Sequence, residues 1–211
     1  MARKPPFTIA LARVISVVFH PLLMPTWVFI VMSLMGSVAS GSSECNLPLL
    51  YGLAVFGLTF VLPVLVFLAM LRVGRISSLQ MPRREERQQP ILLTAISFYG
   101  LFFWSKGWSV EPLFKVYIIG ATLLSLIAFL INYRWKISLH MVGAGGVTGC
   151  MATYVYFMSP EYFLILPVAV VIAGLTAFAR LRLSSHTQGE VYFGFLLGSV
   201  LIFSLFVLIT G

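Results

Sequence analysis

Apolar residues along this chain fall into continuous runs near residues 14–36, 48–71, 89–105, 112–132, 138–158, 162–179 and 187–210. A helix crossing a bilayer needs about 20 such residues, so each run predicts one spanning helix. The runs do not alternate apolar with polar, which excludes the strands of about ten residues that build an outer-membrane barrel. The third run is the shortest, and its core from Ile91 to Trp104 predicts a helix that tilts little or dips partly into the membrane. The first follows Arg3, Lys4 and Arg13, as a signal peptide would begin, but its apolar stretch is longer than an h-region and contains Pro21 and Pro25. It is read as a retained helix. The expectation is an all-α integral membrane protein, a bundle of about six to seven transmembrane helices, forming one membrane domain over residues 1–211.

Small residues mark where helices approach. Gly143, Gly145, Gly146 and Gly149 lie in the fifth run, Ala169, Ala173 and Ala177 in the sixth, Gly194 and Gly198 in the seventh. Spacings of three and four let backbones come close, so these three helices are expected to pack together.

Composition narrows the chemistry. Of 211 residues 60% are hydrophobic and 9% charged, and the mean hydropathy is +1.01, which leaves no room for a soluble catalytic domain. The six acidic residues are all Glu. Membrane enzymes that hold a magnesium diphosphate use clustered Asp carboxylates as hard oxygen ligands, so that class is disfavoured. Cys45 and Cys150 form no CxxC pair and support neither a thiolate metal site nor a structural disulfide.

With seven spans, the connections after the second, fourth and sixth lie on the side of the N-terminus. That side collects Arg3, Lys4, Arg13, Arg72, Arg75, Arg83, Arg84, Arg87, Arg134, Lys136, Arg180 and Arg182, against Lys106 and Lys115 opposite. A positive-inside bias accounts for such a distribution by itself, and places this face in the cytoplasm of what is read as a bacterial inner membrane. His140 and His186 fall at the same level, and ionisable groups beside spans are uncommon and usually functional. Arginine forks match phosphate oxygens and stay charged at low dielectric. The face therefore fits a lipid headgroup phosphate.

The spacings around the histidines sharpen this. Arg180 precedes His186 with five residues between, and Glu190 follows His186 at i+4, which places the carboxylate on the same helix face as the imidazole it can orient. Lys136-Ile137-Ser138-Leu139-His140 puts a hydroxyl two positions before a second histidine at a helix start, where backbone N–H groups favour an anion. A nucleophilic imidazole, a carboxylate, a second imidazole to protonate a leaving oxygen and a cationic cradle suffice for phosphoryl transfer.

These residues resemble the type 2 phosphatidic acid phosphatase superfamily, whose three motifs are KxxxxxxRP, PSGH and SRxxxxxHxxxD. Ala179-Arg180, His186 and Glu190 are similar to the third motif, with Ala for Ser and Glu for Asp; Ile137-Ser138-Leu139-His140 keeps Ser and His of the second; of the first only Arg87 matches, with Gln80 where Lys is expected and Gln88 for Pro. The resemblance covers residues 75–200 as a phosphatase-like core. It implies that His186 is the nucleophile, Glu190 its orienting partner and His140 the general acid, with Arg180, Ser138 and Arg87 binding phosphate and Arg83, Arg84 or Lys136 replacing the missing lysine. It implies metal-independent chemistry without a cofactor on a lipid phosphate or polyprenyl diphosphate, and no role for nucleic acid. Many bacterial members face outward, which opposes the charge count.

Each feature has a plainer reading. Thr187-Gln188-Gly189-Glu190 is also a capping box, His140 alone reads as an interfacial histidine, and His20 beside Pro21 is placed to line the pocket but reads rather as packing or a helix kink. Trp104, Trp108, Tyr133 and Trp135 read as interfacial anchors. The alternative to an enzyme is a phospholipid-binding or transport protein that keeps the cradle without turnover. Oligomeric state is left open by the sequence.

Overall fold

A computed structural model describes residues 6–40, 46–108, 112–158 and 160–210, so Arg3, Lys4 and Cys45 lie outside the described residues. Helices α1 (Phe7–Val18), α2 (Met24–Ser40), α3 (Asn46–Phe56), α4 (Leu62–Arg72), α5 (Arg84–Trp104), α6 (Pro112–Asn132), α7 (Leu139–Thr153), α8 (Ile165–Arg182) and α9 (Gln188–Thr210) account for nearly all of them, and no strand occurs among the described residues. A wide π turn at Gly57–Val61 joins α3 to α4, and another at Tyr154–Met158 prolongs α7. The protein is an all-α integral membrane protein.

Five stretches among the described residues are long and apolar enough to cross a bilayer: Phe7–Gly36, Leu49–Arg72, Pro112–Asn132, Ile165–Arg182 and Gln188–Ile209. Their outward positions carry large apolar side chains, among them Leu65, Val171 and Leu208, at 58, 60 and 81% exposure. In water such a surface would aggregate; in lipid it is solvated. The two remaining runs form α5 and α7.

Boundaries differ from the apolar pattern in two places. The first helix begins at Phe7 and takes in Arg13, then breaks after Val18 into a 3-10 turn at Pro21–Leu23, where Pro21 has no N–H to continue the helix. The third run forms α5, which is a full 21 residues and begins ahead of the apolar core. Its polar first turns, with Glu85 and Glu86 at the positive end of the helix dipole, are as helical as its apolar core.

The chain folds as two compact units, one of Met1–Pro21 with Trp135–Gly211, the other Leu22–Arg134. In the first, α7 and α9 run in the same direction in very close contact. Residue 138 faces 194, 142 faces 198, and 149 faces 199. A Cβ placed on Gly145, Gly149 or Gly198 would strike backbone atoms of the opposite helix, whereas one on Gly174 of α8 would meet nothing. Glycine is thus required at the α7–α9 contact by space. Helix α8 packs on α7, and α1 lies on α8 through Ala12, Ile15 and Ala179, flanked by Phe19 and Leu183. Arg182 of α8 donates to the Thr8 hydroxyl at 3.2 and 3.3 Å.

In the second unit α5 lies along α6. The Asn132 amide donates to the Arg84 carbonyl at 2.7 Å, and the Arg84 guanidinium donates to the Arg134 carbonyl at 3.2 Å. The Ser97 hydroxyl of α5 donates to the Leu58 carbonyl, inside the π turn. Phe29 of α2 meets Phe114 of α6 edge to face at 5.1 Å.

Candidate active site

The parallel packing of α7 and α9 brings two helix N-termini to the same end of the first unit. Gly194, in the second turn of α9, leaves room for the Ser138 carbonyl, and the Ser138 N–H donates to the Glu190 carbonyl at 3.3 Å. The two segments that carry the histidines are therefore tied together by backbone.

His186 is buried, and its Nδ1 lies 2.8 Å from Glu190 Oε2. A carboxylate accepts, so Nδ1 carries the hydrogen and Nε2 the lone pair. His186 does not share a helix face with Glu190, as the spacing suggested. It sits just ahead of α9, with Thr187 as N-cap and Glu190 three residues into the capping box. The Thr187 N–H donates to Glu190 Oε2 at 3.1 Å, and the Glu190 N–H to Thr187 Oγ1 at 3.4 Å. The capping box and the histidine pair coexist on one carboxylate: the cap fixes the carboxylate, and the carboxylate fixes the imidazole.

His140 stands in the first turn of α7, half-buried, with Nε2 3.0 Å from the Ser16 carbonyl of α1. A carbonyl oxygen only accepts, so Nε2 carries the hydrogen and Nδ1 is the basic nitrogen. His140 can then protonate a leaving oxygen from Nδ1 once it holds a second proton. Arg180, at the end of α8, donates through Nη1 to Ser16 Oγ at 3.4 Å and acts electrostatically on both His140 and His20, as His186 does on His140. Ser138 is the N-cap of α7, yet its hydroxyl makes no cap bond; it is fully buried with no hydrogen-bond partner. A buried hydroxyl without a partner costs about 1–3 kcal/mol, which an oxyanion accepting from it would offset.

Sequence reasoning missed Ser16 and set His20 aside. Ser16 holds both His140 and Arg180, and His20, read as a kink residue, has its ring 5.2 Å from that of His140. An ionisable residue inside an apolar run was the available signal for His20; nothing in the pattern marks Ser16, whose backbone does half the work.

Of the other expected phosphate ligands, Lys136 precedes Ser138 by two residues and is half-buried. Arg83, Arg84 and Arg87 belong to the second unit. Arg83 is exposed, Arg84 is engaged by the Arg134 carbonyl and Glu85, and Arg87 is buried with its Nε donating to the Met81 carbonyl at 2.9 Å. Met81 has φ 45, so Arg87 braces the turn that enters α5.

Comparison with family models, with curated proteins and with solved structures gives no match for this chain.

Proposed function

We propose that this chain is a membrane-embedded, metal-independent phosphatase that hydrolyses lipid phosphates or polyprenyl diphosphates through a phosphohistidine on His186. The observation that carries the reading is the His186–Glu190 pair at 2.8 Å, standing in one compact unit with Arg180, His140 and the unpartnered Ser138 hydroxyl. Nε2 of His186 attacks phosphorus and the bond to the lipid oxygen breaks. Glu190 stabilises the cation formed on the imidazole, and doubly protonated His140 gives its Nδ1 proton to the leaving oxygen. Arg180 and Ser138 bind the phosphoryl oxygens as charge builds on them. Water, deprotonated by His140, then releases phosphate from His186. The basic bias of the connecting segments favours a cytoplasmic site in a bacterial inner membrane.

A second reading, a phospholipid-binding or transport protein, is favoured by Gln80 and Gln88 in place of the family's Lys and Pro. The experiment that separates them uses purified protein in EDTA with phosphatidic acid and a polyprenyl diphosphate. An enzyme releases phosphate and loses this with His186→Ala. A binder releases none, but vanadate at a hundredfold excess over its Kd stabilises it by about 2.7 kcal/mol. Neither response sinks both.

A further inference from the structure

Three contacts converge on the end of α1. The Ser16 carbonyl takes the Nε2 hydrogen of His140, the Ser16 hydroxyl takes Arg180, and the His20 ring stands edge to face against His140 at 5.2 Å and 81°. We propose that His20 is a positioning residue of the active site, holding the plane of the His140 ring so that its Nε2–H stays on the Ser16 carbonyl, which fixes the tautomer. The kinetic part of this rests on the phosphatase reading above; the structural part does not.

The argument begins with the imidazole. A ring held by one hydrogen bond at Nε2 still turns about χ2, whose wells are broad. That rotation swings Nδ1, the nitrogen that must meet the leaving oxygen. A second contact against the ring stops it. His20 is well placed because its own backbone is fixed: α1 is anchored on α8 by Ala12, Ile15 and Ala179, Phe19 leaves the helix at φ −101 and ψ 43, and the His20 N–H returns to the Val17 carbonyl at 3.3 Å. Pro21 then bars the helix from continuing, so the break sets where the imidazole points. The charged and titratable groups acting on the pair are Arg180 and His186. A contact of this kind works through ring shape, which a phenyl ring shares.

The chain has three histidines, so nitrogen NMR of histidine-labelled protein in micelles resolves each ring. In the wild type His140 is expected as a single Nε2–H tautomer. His20→Ala is expected to average it between tautomers, and His20→Phe to keep it fixed. Thermal unfolding of both variants checks that they fold. In kinetics, displacement of a catalytic group by about 1 Å costs up to about 10²-fold. His20→Ala should thus lower kcat on a lipid phosphate by about tenfold to a hundredfold, with less loss on an aryl phosphate that needs no acid and with KM nearly constant. His20→Phe should recover most of the loss. A wild-type His140 that already averages its tautomers, or one unmoved in folded His20→Ala, overturns the proposal. So does a His20→Phe variant that loosens the ring, or that keeps it fixed and loses turnover, the latter because His20 then acts by its own chemistry. If the wild type releases no phosphate, the phosphatase reading fails and the tautomer measurement still decides the role of His20.

Discussion

Glu190 serves two masters at one oxygen, His186 Nδ1 and the Thr187 N–H. Glu190→Gln removes the charge and keeps the acceptor. An amide oxygen in the place of Oε2 can hold both hydrogen bonds, but without the negative charge it no longer stabilises the cation that forms on the imidazole during attack. A carboxylate-to-amide change beside a catalytic histidine costs up to about 10⁴-fold in kcat, so Glu190→Gln should lose at least about a hundredfold of phosphate release. Thermal unfolding should move little, and a large fall in the midpoint would show that the cap is the main role. At this scale the sequence was legible where a residue type is rare. His140, His186 and Glu190 stand out in an apolar chain, and the structure joins the last two directly. It was illegible where the contact is made by backbone, as at Ser16, or where a rare residue has a plausible second use, as at His20 beside Pro21. Arg87 was read from a motif position. The resemblance gave it to phosphate, and the structure shows it buried with its Nε on the Met81 carbonyl.

Helices α7 and α9 meet through glycines, and this close approach brings their N-termini together. A methyl group at Gly198 would strike the Val142 carbonyl and the Gly146 nitrogen. Overpacking of this kind costs about 1–3 kcal/mol, so Gly198→Ala should lower the thermal midpoint and, by pushing Ser138 from Glu190, lower turnover as well. Gly174→Ala, with nothing within 4 Å, should leave both unchanged. Equal effects at the two positions would contradict the packing argument. The small residues at these spacings predicted that α7, α8 and α9 associate, since in lipid close approach replaces the hydrophobic effect as the driving force. They did not predict direction or register. Boundaries were read less well where polarity and helicity part: the apolar pattern began α5 at residue 89, yet Arg84–Gln89 is helical because charged residues form helix as readily as leucine and its acids sit at the N-terminal turn.

For the whole molecule, continuous apolar runs were enough for the all-α membrane class, because only helices satisfy their own backbone in lipid without closing a barrel. Read as seven spans, the sequence puts twelve Lys and Arg on the N-terminal side and two on the other; on that reading a single cysteine at Ser184, in the exposed turn between α8 and α9, should resist an impermeant thiol reagent in intact cells, and one at Ser43, which lies outside the described residues, should react. The reverse pattern would turn the site outward. The central claim concerns a covalent bond and is tested by trapping it. Protein in EDTA is mixed with a lipid phosphate radiolabelled at phosphorus, quenched in alkali during the first turnover and mapped by peptide. The account predicts label that survives base and is lost in acid, on the peptide carrying His186, and none in His186→Ala. Phosphate release with no label on His186, or label that persists in His186→Ala, would contradict it.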